Sequence, residues 1–345
     1  VDPIPPGRSI EPLQAEDLAE LSRFLTAGFA APADAEFARP EVLQWKYLDP
    51  TIASDGPSGL VARREGTIAG FVGHRRGSFS TAGVEATTLH MMDWLTSRGS
   101  NVGAYLFLRA HRSVATAYVL GGSPDARRVI VGGGYEKRGE IPVFRRVLRP
   151  WHRIRAEGIQ PRTIVKTLVD ATSLLKRPRR PRLEVELSRV DAFGPEVAAI
   201  LEERPSDVIV STRSAGRLNH LLRYPGGGIS GWRIVRDGRD VGFGVLSVVG
   251  AGLVRVGKLV ECFLGSRDPE LWHAALEALT AELSHQRADF ALACTGAPWM
   301  TAGLLRAGYR ERYRLDFHLR DKEALLPRDR PFHLTFFEAD YAHLP

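Results

Sequence analysis

Between an apolar run ending at Leu95 and a helical pattern beginning near Val102 stands the stretch Arg98-Gly99-Ser100-Asn101-Val102-Gly103. Small residues and one arginine between a strand and a helix suit an anion. A helix N-terminus leaves N–H groups without acceptors and carries the positive end of the helix dipole. Small side chains let those groups approach a pyrophosphate. Asn101 stands where a glycine is expected. Asparagine tolerates left-handed backbone angles better than other non-glycine residues and also caps helices. Upstream lie Glu85, His90 and Asp93, the polar groups on or beside the same apolar run. A carboxylate or imidazole there can take a proton from an amine or orient it. Strand alternation places His90 and Met92 on one face, Met91 and Asp93 on the other. Asp93 is the first choice for a general base or amine-orienting group and His90 the second. The plainer alternatives are a structural hydrogen bond for Asp93 and a core position for His90.

The elements around these residues read as mixed α/β. Asp17–Phe29 and Glu41–Leu48 have helical spacing, the second stopped by Asp49-Pro50. A hairpin follows, turning at Glu65-Gly66, then the long strand Ala86–Leu95, the helix Asn101–Arg112 and a strand within "ATAYVLGG". "SPDARRVIVGGGY" is a capped short helix with a glycine stop, and "EIPVFRRVLRP" is a further strand.

The second half repeats this order. "RREGTIAGF" (Arg63–Phe71) matches "VRDGRDVGF" (Val235–Phe243) at an offset of 172, and Ser123–Gly139 matches Ala297–Tyr313 at 174. "LHMMDWL" has a rough counterpart in "KLVECFL" (Lys258–Leu264). Two matches in one order at nearly one offset indicate duplication. They divide the chain into 1–150, a linker 151–182 and 183–345. In the linker, Thr163–Leu175 is expected to form a helix that docks through Ile164, Leu168 and Leu174–Leu175.

The layout, and Arg98 through Gly103 in particular, resembles the GNAT superfamily of acyl-CoA N-acyltransferases, whose cofactor motif is Arg/Gln-x-x-Gly-x-Gly/Ala. Two copies resemble a tandem-GNAT or FemAB-like arrangement. The resemblance implies an α/β fold of two GNAT-like domains and transfer of an acyl group from acetyl-CoA or a longer acyl-CoA to a primary amine. It places the cofactor at Leu95, Arg98, Gly99, Ser100, Asn101, Val102, Gly103 and Ala104, and acceptor contacts at Trp45 and Tyr47. Read from residues alone, that "WKY" is core with a solvated Lys46. By the same analogy the acceptor is an amino sugar or cell-envelope precursor. Where many members carry a tyrosine general acid, this chain has Ile130 and Leu304. The second copy's loop, "GSRDPELWHAAL", puts Asp268 and Glu270 at the helix start, where they stabilise the helix and repel a pyrophosphate. That copy is not expected to bind CoA. The rival reading is a catalytically silent GNAT-fold binding or regulatory protein.

Composition narrows the remaining classes. The net charge of +7 is local: Arg145–Arg182 holds 12 Lys/Arg against 2 acids, and the rest holds 35 against 38. This basic segment, sharpest at Lys176–Arg182, suits an anionic lipid surface or a nucleotide. Nucleic acid fits less well, since no aromatic residues interleave with that run. No metal-ligand spacing occurs. The two cysteines, Cys262 and Cys294, sit in apolar runs and read as buried thiols. With no apolar span or secretory signal in view, the expected location is cytoplasmic, with peripheral contact at the inner membrane face.

Overall fold

In the computed structural model, which describes residues 8–52, 58–100, 102–175 and 180–339, the periodic runs become β1 (Arg8–Pro12), α1 (Leu18–Gly28), α2 (Pro40–Tyr47), β2 (Gly59–Arg64), β3 (Thr67–Thr81), β4 (Val84–Thr96), α3 (Val102–His111), β5 (Thr116–Leu120), α4 (Pro124–Gly132) and β6 (Glu136–Val147). Asn101 and Lys176–Arg179 lie outside the described residues. The β2–β3 hairpin turns at Glu65 (φ +52°) and Gly66 (φ +81°), the paired positive φ values of a tight hairpin turn. Strand order is β1-β2-β3-β4-β5, with β4 and β5 parallel and the other neighbours antiparallel. Each face buries its own cluster. Leu89, Met91, Leu106, Phe107, Val119 and Ile130 fill one. Leu21, Leu25, Leu43, Tyr47, Phe71 and Met92 fill the other.

The remaining elements are α5 (His152–Glu157), α6 (Pro161–Leu175), β7 (Glu186–Val190), α7 (Glu196–Glu202), β8 (Ile209–Ser211), α8 (Ala215–Leu222), β9 (Ile229–Arg236), β10 (Arg239–Ala251), β11 (Val254–Leu264), α9 (Pro269–His285), β12 (Phe290–Cys294), α10 (Pro298–Arg306), β13 (Arg310–Asp321) and β14 (Phe332–His333). The repeat is visible in detail. The β9–β10 hairpin turns at Asp237 (φ +50°) and Gly238 (φ +74°). The helices α4 and α10 both end in Gly-Tyr, with the Tyr135 and Tyr309 amides donating to Ile130 and Leu304 carbonyls. Cys262 and Cys294 are buried and free.

Two units result, and they are not simple sequence halves. Unit 1 is 1–139 with 224–226 and 316–328; unit 2 is 140–223 with 227–315 and 329–345. The end of β13 belongs to unit 1, where Asp316–Asp321 runs antiparallel along β5. The body of β6 belongs to unit 2, where Val143–Val147 pairs with β12. The α6 helix forms, but with the opposite face inward: Thr163 and Thr167 are buried, while Ile164 and Leu168 are exposed. Apolar spacing defines a stripe but not what covers it.

Candidate active site

β4 pairs regularly with β3 as far as Gly73/Met92, and the register resumes at Phe71/Leu95. β4 therefore uses one more residue than β3 in that interval, a β-bulge over Asp93 and Trp94. Asp93 has φ +46°, a left-handed angle that aspartate tolerates better than most residues. The bulge breaks the alternation that would put Asp93 beside Met91. Its carboxylate meets α2 instead. Lys46 Nζ lies 2.6 Å from Asp93 Oδ2, and the Tyr47 hydroxyl donates to the same oxygen. Tyr47 packs with Phe71 and Met92. Gly73 makes room for it, since a Cβ there would fall 2.5 Å from the Tyr47 ring. Lys46 is not solvated, as its place in "WKY" suggested, but 3% exposed. The Asp93 side chain is 16% exposed.

His90 is buried and stacked on Tyr118, with ring centroids 4.6 Å apart. Burial, reinforced by Arg75 and Lys46 and opposed by Asp93, lowers its pKa to about 3. So weakly basic an imidazole is poorly suited to take a proton from an ammonium group, and its burial and stacking agree with the core position offered as the plainer alternative. Trp45 and Tyr47, expected at the acceptor, are both buried. Trp45 lies edge-on to Tyr224, and Tyr47 acts on Asp93. Glu85 accepts a hydrogen bond from Ser78 on an exposed stretch.

The parallel register of β4 with β5 ends at His90/Tyr118, although β4 runs on to Thr96. Its free run leads to the Arg98–Ala104 loop. There the Ser97 amide donates to Ala69, the Ser100 amide to Ser97, and Gly99 has φ +74°. The Val102 amide approaches Ser100 Oγ at 3.4 Å. Among the described residues, no backbone acceptor meets the Gly103 or Ala104 amides. No acid occupies the first turn of α3, and Arg98 is exposed without an ion-pair partner among the described residues. The indole Nε1 of Trp94 is buried and unpartnered. It lies next to the helix start: a Cβ on Gly103 would fall 3.3 Å from it and 2.8 Å from Thr96 Cγ2. Gly103 is thus a glycine because α3 packs tightly on β4. Val102 packs against Gly70 in the core and can offer a ligand only backbone, while Leu95, against Gly28, is half-buried. Among the described residues, the Gly103 and Ala104 amides without acceptors, an arginine without an ion pair, an orphaned indole N–H and no acid fit a phosphate-bearing ligand.

Unit 2 closes the same features. Ser266 Oγ takes the Asp268 amide, Asp268 Oδ1 takes the Glu270 amide, and the Trp272 amide donates to the Asp268 carbonyl. Pro269 has no amide hydrogen. β11 also carries one extra residue against β10, between Leu259 and Glu261. The Glu261 carboxylate beside that bulge is fully buried, held by Arg213 Nε at 2.6 Å and His333 at 3.3 Å. Burial alone would raise its pKa, but Arg213 and His333 outweigh it and hold the carboxyl at about 2. Glu338 sits 2.8 Å from the same guanidinium, and burial raises its pKa. A groove of about 510 Å³ is lined by Arg145, His152, Glu157, Phe290, Arg312 and Tyr313 among others; none of its lining residues belongs to β4 or α3.

No family model and no curated protein sequence matches the chain. Solved structures do. N-myristoyltransferase from Saccharomyces cerevisiae with bound myristoyl-CoA matches with a TM-score of 0.62, 11% identity, 92% of this chain and 80% of that one. A GCN5-related N-acetyltransferase from Anabaena variabilis matches at 0.59 and 12% identity, over 92% and 73%. A probable N-acyltransferase from Enterococcus faecalis matches at 0.59 and 14%, over 93% and 74%. The fold is that of the GNAT-type N-acyltransferases. The mixed α/β architecture with two GNAT-like copies, expected from the internal repeat, is the observed one. Among the described residues no cluster suited to a metal ion occurs, and no helix is long and apolar enough to cross a membrane.

Proposed function

We propose that unit 1 is an acyl-CoA-dependent N-acyltransferase acting on a primary amine, and that unit 2 keeps the fold without binding CoA. The observation that carries this reading is the contrast between two homologous helix starts. Among the described residues the Gly103 amide meets no acceptor and the first turn of α3 carries no acid, whereas the equivalent Glu270 amide is taken by Asp268 Oδ1 and two acids stand at that helix start. Arg98 and the amides of Gly103 and Ala104 would hold the pyrophosphate, with the Trp94 indole as a further donor. Bound acyl-CoA supplies the acyl group as a thioester. Asp93 is assigned to the amine, its carboxylate oriented by Lys46 and Tyr47 at Oδ2. Ile130 lies in the core and carries no proton, so α4 is given no acid role. The acceptor class that suits this reading is an amino sugar or envelope precursor, by analogy of arrangement alone.

Titration calorimetry with acetyl-CoA and with myristoyl-CoA tests the binding claim. One site per chain is expected, weakened about tenfold in Arg98→Ala, the loss of one charge-assisted contact. Two sites would refute the silence of unit 2, and none with either ligand would refute the assignment of unit 1. Amine-dependent release of free thiol, abolished in Asp93→Asn with binding intact, tests the transfer itself.

A further inference from the structure

The α6 helix is inside out. At about 100° per residue, Ile164, Val165, Leu168 and Val169 cover an arc of about 140°, and the last three are each more than half exposed. Its inward side is polar. Thr163 donates to Glu157 at 3.2 Å, Thr167 is buried, and Asp170 lies 4.0 Å from His152 Nε2. Trp151 and Ile159, just before the helix, are exposed as well. A helix that buries threonines and presents valine and leucine to water has the pattern of an interaction face.

The charge around it identifies that partner. Arg162 and Lys166 border the Val169 edge of the arc, at about 160° and 200° on the same wheel. The helix sits within the segment of 12 cations and 2 acids and runs into the Lys176–Arg182 sequence. A second copy docked through a two-fold axis would bring this segment against itself, cation against cation. Nucleic acid would satisfy the charge and leave the apolar arc in water. Fifteen residues are too few to span a bilayer, which takes about 20. We propose that α6 lies in the plane of an anionic bilayer surface, with Ile164, Val165, Leu168 and Val169 at the headgroup–acyl boundary and Arg162 and Lys166 on lipid phosphates. This proposal is independent of the acyl-transfer reading. It places the protein beside lipid whatever unit 1 binds.

Flotation of the full chain with two vesicle types tests it: phosphatidylcholine alone, and phosphatidylcholine with roughly 30 mol% phosphatidylglycerol, at about 0.1 M and about 0.5 M salt. Wild type is expected to float with the anionic vesicles only, and less at the higher salt. Leu168→Glu with Val169→Glu should lower the bound fraction at least about tenfold, and Arg162→Gln with Lys166→Gln about threefold or more. These positions are exposed, so circular dichroism and melting temperature should not change. Absence of flotation, equal flotation with both vesicle types, or an unaffected glutamate variant overturns the proposal. So does a wild-type dimer in sedimentation that the glutamate variant dissociates, which would assign the face to a second copy.

Discussion

The Lys46–Asp93 pair offers the sharpest test of the site's construction. The Lys46 side chain is 2% exposed, and its ammonium lies 2.6 Å from the carboxylate of Asp93, whose side chain is 16% exposed. Removing one member of a buried pair typically costs about 3–5 kcal/mol, because the other charge is left uncompensated. Asp93→Asn keeps the shape and the left-handed backbone tolerance while removing the negative charge 2.6 Å from the buried Lys46 ammonium, so a loss of about 3 kcal/mol is expected. Lys46→Met strands Asp93, which water and the Tyr47 hydroxyl partly relieve, so about 2 kcal/mol is expected. The double variant leaves no unpaired charge and should return to within about 1 kcal/mol of wild type. The coupling is then about 4 kcal/mol, far above the about 0.5 kcal/mol scatter of independent sites. Calorimetry of the three variants, following the transition that acyl-CoA shifts upward, measures it. Additive losses would refute the reasoning, for the contact would then be incidental.

Gly103→Val should cost about 1–3 kcal/mol by forcing α3 away from Thr96, and weaken acyl-CoA binding in calorimetric titration at least about tenfold. His90 has a folded pKa of about 3 against 6.5 ordinarily, so the unfolded chain takes the proton first. The stability from its neutral burial is complete above about pH 6.5 and lost toward pH 3, by about 1.4 kcal/mol per pH unit. His90→Phe should remove one proton from the pH slope of unfolding, and an unchanged slope would count against the assignment. Arg213→Met leaves Glu261 and Glu338 facing each other in the interior. It should lower unit 2 stability by about 3–5 kcal/mol while leaving the acyl-CoA stoichiometry of unit 1 at one.

Much of the fold was legible because local rules and tertiary structure agree. The hairpin turns at Glu65-Gly66 and Asp237-Gly238, the Gly-Tyr helix stops and the long apolar β4 all follow from residue type and spacing. What escaped were features set by one residue of register or by partners remote in sequence. Alternation put Asp93 with Met91, and a single extra residue in β4 turned it toward α2 instead. Lys46 looked like a solvated lysine because nothing in "WKY" reveals a carboxylate 47 positions later. The stripe on α6 was visible, but periodicity carries no sign: it marks an apolar face without saying whether protein lies behind it. In the loop, Arg98 and the acid-free helix start were readable. The orphaned Trp94 indole was not, since only packing against Gly103 puts it there.

The division of β13 bears on what a single copy can do alone. β5 is buried at all five of its positions, and its outer neighbour is not supplied by residues 1–150. Asp316–Asp321 takes that place, from Phe317 opposite Leu120 to Asp321 opposite Thr116. Asp316 also closes ion pairs with Arg127 at 3.0 Å and Lys137 at 2.8 Å. A fragment ending at residue 150 loses Phe317 and Leu319, both nearly fully buried. At about 1.5–3 kcal/mol for each side chain, that is about 3–6 kcal/mol from a domain whose whole stability is of order 5–15 kcal/mol. It also bares a hydrophobic strand edge that can pair with other chains. The fragment 1–150 is therefore expected to aggregate or to melt without cooperativity. Joining residues 310–328 to its end through a flexible linker should restore a cooperative transition, because the missing strand is then supplied in the same chain. If the plain fragment melts cooperatively at the temperature of unit 1 in the full chain, β13 is dispensable and the copies are separable after all.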